Sequence, residues 1–326
     1  MVLIVTNEKD VTSDYIVREL QKRNSPYYRL NTERIGNGVD VYLNLHDREY
    51  YIKDAQKNVT INIAGIRSIY YRRPVLPTFE GYDINEGEKR YLQSEIFYLL
   101  EGIYKLLRDR YWMNPLFKLR EAENKIFQLI LAERVGLTVP RTCYTNIPQD
   151  ARQFILSQQG TITKPIKSGH IEASNKIIYT SKVTDEALKT IDAIQGMPVC
   201  LQEEINNIAD IRVTVVGKSI FAAKIEYDED LGIVTDWRKS TYAKQRYSSF
   251  SLPEDICCKV LDLNRLMGLR YSAMDFALRD DGNLVFLESN PNGQWAWIQN
   301  QLGMDIAGEI VNALQEGKCV CNNQVI

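Results

Sequence analysis

The chain has 326 residues, enough for two or three domains, and its 44% hydrophobic and 25% charged content is that of a globular protein rather than a disordered or repeat-built one. Forty Lys plus Arg against 42 Asp plus Glu leave a net charge of -2, so no global field marks the chain for nucleic acid or an anionic membrane. His46 and His170 are the only histidines, too few for a His-rich metal site, and most hydrolase mechanisms lose weight with them.

Strand and helix signals alternate at the start. Val2-Leu3-Ile4-Val5 reads as a short apolar strand, residues 13–23 place Ile16, Val17 and Leu20 on one helical stripe, and a second strand is expected over 27–30. This βαβ opening has no glycine in its turn, Thr6-Asn7-Glu8-Lys9-Asp10, and so lacks the phosphate-cradling fingerprint of a dinucleotide-binding unit. A strand over 66–71 ends at Arg72-Arg73-Pro74, and a long helix begins at Glu86 with Asn85 and Glu88 as a capping box. Asn114-Pro115 stops that helix and marks the first domain boundary.

A helix over 119–135 is expected to present Ala122, Ile126, Leu129 and Ile130 on one face, ending at Gly136. After a strand over 161–166, the small and polar run 167–174 is a candidate flap. A strand over 176–180, a helix over 185–194, the run 199–205 and strands over 211–216 and 220–225 complete a second α+β unit. The expected division is 1–115, 116–198 and 199–326. The six cysteines show no C-x2-C spacing and no apolar run approaches the ~18 residues of a membrane span, the pattern of a soluble cytoplasmic protein with reduced thiols.

Strands over 272–279 and 284–290 flank Asp281-Gly282, which reads as a two-residue type I′ hairpin turn. That turn pairs Asp280 with Asn283 and, further along, Asp275 with Glu288. Alternation then puts Met274, Phe276, Leu278, Val285 and Leu287 on one face and Asp275, Glu288 and Asn290 on the other. Facing carboxylates, with Cβ atoms about 5 Å apart, repel unless something positive lies between them. A hard divalent cation with oxygen ligands, magnesium, would meet that need. The alternative is a solvated hairpin face on which an Arg or Lys neutralises the pair.

The segment Leu287-Glu288-Ser289-Asn290-Pro291-Asn292-Gly293, with Asp275 upstream, resembles the metal-binding signature of ATP-grasp ligases. Asn124-Lys125, Val139-Pro140-Arg141-Thr142, Lys164-Pro165, Gln202-Glu203-Glu204-Ile205 and Asp210-Ile211-Arg212-Val213 fall in that family's order, over about 116–314. Tyr70-Tyr71-Arg72-Arg73, Asp236-Trp237-Arg238-Lys239 and Gln294-Trp295-Ala296-Trp297 further resemble RimK-like peptide maturases of the microviridin, or graspetide, type.

The resemblance implies an α/β (α+β) ATP-grasp architecture, with an N-terminal βαβ pre-grasp domain and two α+β lobes clamping ATP. It also implies an ATP-dependent carboxylate ligase that forms acyl phosphates on Asp or Glu side chains of a ribosomal precursor peptide, leader and core, and closes ester or amide macrocycles. ATP and Mg2+ are the implied cofactors and a homodimer the implied assembly; neither nucleic acid nor membrane is an expected partner. By the same resemblance Asp275, Glu288 and Asn290 hold the metal, and Lys125 and Lys164 the phosphates. Glu203, Glu204 and Ile205 hold the adenine and Asp210 the ribose, while Arg212 and Arg238 face the acyl phosphate and acceptor. Each of these also has a plain reading as a solvated surface group. His170 receives no role, and Trp295 and Trp297, at strand spacing, are read as core. The peptide groove is expected at the 185–194 helix and the 211–225 strands, between the flap and Asp236-Trp237-Arg238. The rival functions are a ligase adding an amino acid to a protein or small acid, and a non-catalytic nucleotide- or peptide-binding module.

Overall fold

β1 (Val2–Thr6) is buried along its whole length, as a parallel strand covered on both faces must be. In the computed structural model, which describes residues 1–167, 170–171, 176–227 and 245–317, it pairs in parallel with β2 (Tyr27–Asn31) through α1 (Val11–Lys22). An antiparallel meander follows, β3 (Val39–Asn44), β4 (Glu49–Asp54) and β5 (Val59–Asn62), in a stretch where the sequence indicates no element. Its strands alternate only weakly between buried and exposed positions, so no period-2 face stands out. β6 (Ser68–Tyr71) joins β1 on its other side, and α2 (Glu86–Leu106) starts at the expected Asn85/Glu88 capping box. β7 (Tyr111–Trp112) completes a sheet ordered β2-β1-β6-β7.

The helix expected over 119–135 is two helices, α3 (Leu116–Ala122) and α4 (Lys125–Arg134). The Asn124 side chain divides them by accepting the Phe127 N–H at 3.1 Å and capping α4. The break turns the apolar face: Ala122, Leu129 and Ala132 are buried, whereas Ile126 and Ile130 are exposed. β8 (Thr142–Thr145), α5 (Pro148–Leu156), β9 (Thr161–Lys164), the short pair β10 (His170–Ile171) and β11 (Lys176–Ile177), β12 (Ser181–Lys182), α6 (Asp185–Lys189) and β13 (Val199–Glu203) follow. The sheet here runs β12-β9-β13-β8. β13 therefore belongs with the central strands, although the sequence places a boundary before residue 199. Where one helix was expected over 185–194, α6 is followed by a 3-10 turn (Ile191–Gly196).

β14 (Asn207–Val216), β15 (Ser219–Tyr227), β16 (Gln245–Ser249), α7 (Glu254–Met267), β17 (Tyr271–Arg279), β18 (Leu284–Asn290), α8 (Ala296–Leu302) and α9 (Ile306–Glu316) build the rest. One face of the antiparallel sheet β16-β15-β14-β17-β18 packs Ile211, Val213, Met274, Phe276 and Phe286 against Leu129, Ala132, Val260 and Leu263 of α4 and α7. Beyond the other face, Trp295, Ile298, Ile310 and Val311 share one core with Val2, Ile4, Ile16 and Leu20 of the first sheet and helix. Trp295 and Trp297 are not in a strand: Trp295 caps α8 and is fully buried, and Trp297 rests against Tyr247 with ring centroids 5.2 Å apart.

Candidate active site

The facing of Asp275 and Glu288 holds, with Ala273 opposite Asn290, but it arises differently from the sequence argument. The turn is the three-residue loop Asp280-Asp281-Gly282. The Arg279 N–H donates to the Asn283 carbonyl at 3.0 Å, the Gly282 N–H donates to the Arg279 carbonyl at 3.1 Å, and Gly282 takes φ +82°. Leu278 therefore faces Leu284 and Phe276 faces Phe286, one position off the expected register. A bulge then absorbs Leu287 on β18 and brings Asp275 back opposite Glu288. Leu284 and Phe286, and not Val285 and Leu287, consequently share the core with Met274, Phe276 and Leu278.

Each carboxylate of the pair already holds a cation. Arg212 sits opposite Asp275 on β14, and its Nη1 donates to both carboxylate oxygens at 2.7 and 2.8 Å. Lys125, the first residue of α4, brings its Nζ to 2.9 Å from Glu288 Oε2. The Asn290 amide donates to Asp275 Oδ2 at 3.2 Å and to Glu288 Oε1 at 3.3 Å, so three oxygen-bearing side chains converge on one point. Neutralisation by Arg and Lys, the alternative to a metal, is thus present, though Arg212 is buried where a solvated face was envisaged. Turning the Asn290 amide about its terminal bond presents Oδ1 beside the two carboxylates, a hard-oxygen set that fits Mg2+ completing its shell with phosphate and water.

Lys164, ending β9, approaches from the central lobe. Burial pushes its ammonium pKa down and Lys125 adds to this, against the pull of Glu288. Burial pushes Glu288 up, but Lys125, Lys164 and Asn290 outweigh it and hold the carboxyl below its ordinary value. Arg212 is pushed down by burial and held above its ordinary value by Asp275. Two lysines from different elements, α4 and β9, beside an acidic pair fit a polyphosphate bridged to a cation.

The positioning groups were not legible as site residues. Gln128, on the buried side of α4, accepts the Ser289 N–H through Oε1 at 2.9 Å, and its Nε2 donates to the Ser289 carbonyl at 2.6 Å and the Ala122 carbonyl at 2.7 Å. It closes the outer edge of β18 midway between Glu288 and Asn290. Its signal in the sequence was a lone amide within an apolar helical stripe. Asn114, at the expected boundary, is buried with all four hydrogen bonds made, accepting from the N–H groups of Arg270 and Tyr271 and donating to the carbonyls of Tyr271 and Pro291 at 2.8–2.9 Å. Further along, Arg72 Nη1 donates to Asn292 Oδ1 at 2.9 Å, the Tyr271 hydroxyl to the Gly293 carbonyl at 2.8 Å, and Arg212 Nη2 to the Gln294 carbonyl at 3.2 Å. Only glycine fits at 293: a Cβ there would lie 2.5 Å from Ala273 Cβ and 2.9 Å from Arg212 Nη2.

Glu203 ends β13, with its N–H on the Arg141 carbonyl at 2.9 Å. The Glu204 N–H is committed to the Gly160 carbonyl at 2.9 Å and its carboxylate to Lys182 at 2.6 Å, so of the Glu204 backbone only the carbonyl is left for an adenine edge. Asp210 lies on the same face of β14 as Arg212, accepting from Asn207 Nδ2 at 2.7 Å and from the Tyr227 hydroxyl. Arg238 and the rest of Asp236-Trp237-Arg238-Lys239, most of the expected flap and the His170 side chain lie outside the described residues.

Residues 122–314 match the RimK-like ATP-grasp domain and residues 1–120 the MvdD pre-ATP-grasp domain. A probable alpha-L-glutamate ligase of Chromohalobacter salexigens is 25% identical over 263 residues, 78% of this chain and 83% of that one. The macrocyclase MdnC of Microcystis aeruginosa MRC, solved with its precursor peptide MdnA, is similar with a TM-score of 0.85 at 25% identity, over 97% of this chain and 99% of that one. A Chryseobacterium gregarium RiPP-associated ATP-grasp ligase, in complex with ADP and a leader and core peptide, has a TM-score of 0.87 at 23% identity, over 100% and 99% of the two chains. Among the described residues no helix is long and apolar enough to cross a membrane. Lysines converging from a helix and a strand on a carboxylate hairpin, in a chain whose matched segments leave almost nothing of residues 1–314 unaccounted for, place this protein in the RimK-like ATP-grasp family, with an MvdD-type pre-ATP-grasp domain in its first 120 residues.

Proposed function

We propose that the chain is an ADP-forming ATP-grasp ligase that activates Asp or Glu side chains of a ribosomally made precursor peptide as acyl phosphates and closes ester or amide rings on them. The observation that carries this reading is the convergence of Asp275, Glu288 and Asn290 with Lys125 and Lys164, in a chain with an MvdD-type first domain. ATP and Mg2+ are its cofactors; bound there, they supply the phosphoryl group and neutralise its charge.

Asp275, Glu288 and Asn290 hold the cation. Lys125 and Lys164 bind the phosphate oxygens, and Lys164, partly buried at the end of β9, gives up part of its solvation before it meets an anion. Arg212 is held by Asp275 while its Nε is buried without a partner among the described residues, a donor suited to an acyl or phosphoryl oxygen arriving at that point. Glu203, the Glu204 carbonyl and the Ile205 N–H take the adenine, Asp210 the ribose, and Arg238 the acceptor side. The precursor peptide as partner is supported by the solved relatives with bound peptides, and a homodimer is proposed with it.

The test is mass spectrometry of a Thr-, Asp- and Glu-rich precursor peptide treated with the protein, ATP and Mg2+. Each ring removes about 18 Da, the water expelled when two groups of one chain condense, and the Asp275→Ala variant leaves the peptide unchanged. Gain of an amino-acid residue would transfer the assignment to the amino-acid ligase reading that the glutamate-ligase relatives favour. Release of AMP in place of ADP would overturn the acyl-phosphate chemistry.

A further inference from the structure

A cavity of about 570 Å³ opens between the first sheet and the segment that follows Asn290, lined by Asn7, Lys9, Thr12, Arg73, Gln294 and Trp297 among others. Its place follows from topology. β1 has β2 on one side and β6 on the other, so the loops leaving the C-terminal ends of β1 and β6 diverge and leave a crevice at the switch point of the parallel sheet, where open α/β sheets bind ligands. Asn7, Lys9 and Thr12 come from the first loop and the start of α1, and Arg73 from the second. The glycine-free turn that argued against a dinucleotide here offers no cradle of backbone N–H groups, so recognition falls to side chains.

Two of those side chains, Lys9 and Arg73, are cationic, and Asp10 is the one acid that faces them from the cavity wall. Among the described residues neither Lys9 nor Arg73 has an ion-pair partner. Asp10 is buried, its Oδ2 accepting from Thr6 Oγ1 at 2.8 Å and Ser13 Oγ at 2.5 Å. Next to Arg73, though not on the cavity wall, Arg72 is a buried guanidinium whose Nε and Nη2 have no partner among the described residues. The cavity also shares a wall with the site described above. The Gln294 side chain is bonded to Thr12 Oγ1 at 2.5 Å, while its backbone carbonyl accepts from Arg212, the arginine fixed on Asp275.

We propose that this crevice holds a second carboxylate of the substrate, an Asp or Glu side chain of the acidic peptide other than the one being activated. The inference rests on the peptide-ligase reading, since only a substrate with several carboxylates can fill both places. A monoanionic carboxylate suits the crevice better than a phosphate, because Asp10 repels a dianion more strongly and Arg73 offers a planar fork that a carboxylate matches. Anchoring one acid there spends binding energy on positioning its neighbour beside Arg212.

The test uses the full chain loaded with ADP and Mg2+, and titration calorimetry with an acetylated Thr-Glu-Asp-Glu amide peptide and its Thr-Gln-Asn-Gln analogue. The acidic peptide should bind the wild type, and Arg73→Gln and Lys9→Gln should each weaken it by about tenfold, the scale of a charge-assisted contact on a partly open surface. The neutral analogue should bind wild type and variants equally weakly, and ADP affinity should stay constant throughout. Acidic-peptide binding that is absent in the wild type, unchanged in both variants, or matched by the neutral analogue overturns the proposal. A wild type that fails to bind ADP with Mg2+ strikes instead at the ligase reading beneath it.

Discussion

Replacing Gln128 with Ala removes a side chain that touches no reacting atom and yet should disable the site. Three hydrogen bonds of 2.6–2.9 Å are lost at once, and the Ser289 N–H, the Ser289 carbonyl and the Ala122 carbonyl are left in an environment where Gln128 itself is only 2% exposed. At about 1 kcal/mol net for each bond the loss of stability is about 3 kcal/mol. Lys125 stands three residues before Gln128 on α4, and Glu288 and Asn290 flank Ser289 on β18, so the same change should loosen the lysine from Glu288. Urea unfolding should show the lower midpoint, and steady-state ATP turnover should require several-fold more Mg2+ for half-saturation. Gln128→Glu should not rescue either readout, because a carboxylate cannot donate to the two carbonyls. A loss under about 1 kcal/mol with unchanged Mg2+ dependence would refute the clamp.

Gly293→Ala should leave the fold in place at a cost of about 1–3 kcal/mol, but displace Arg212 from Asp275 and lower kcat at least about tenfold, since the new Cβ meets Arg212 Nη2 and Ala273 Cβ. Unchanged kcat would show that Arg212 has room to move. Acid should destabilise the chain in a defined window. Glu101 is held below its ordinary value of 4.5 by its hydrogen bond to Arg120, and Glu288 is held below it by Lys125 against the upward push of burial. A carboxylate with a depressed folded pKa contributes stability that is complete above the unfolded value and lost as pH falls through the folded one, so the urea midpoint should be flat above about pH 5 and drop below it. Glu101→Gln should reduce that slope; an equal slope in the variant would remove the Arg120–Glu101 pair from the account.

What the sequence determined by itself were features set by nearest neighbours along the chain. The βαβ opening, the Asn85/Glu88 cap and the two strands around Asp281-Gly282 depend on local periodicity and turn chemistry, and all three are present. The resemblance likewise named Lys125, Lys164, Arg212, Asp275, Glu288 and Asn290 before any geometry brought them together. The tertiary structure decided the rest. The hairpin took a three-residue turn and recovered the Asp275–Glu288 pairing only through a bulge at Leu287, because packing Leu284 and Phe286 into the core set the register near the turn. The 119–135 helix broke at Asn124, a residue of weak helix propensity that caps α4, and the Gln128 side of α4 then meets β18. Nor could periodicity reveal that Arg72, Asn114 and Tyr271 would close on residues 291–293, since those bonds join positions far apart in the chain. Local spacing specifies which face a side chain occupies; which cation meets which carboxylate across that face is settled only when the sheets and helices of all three parts bury one another.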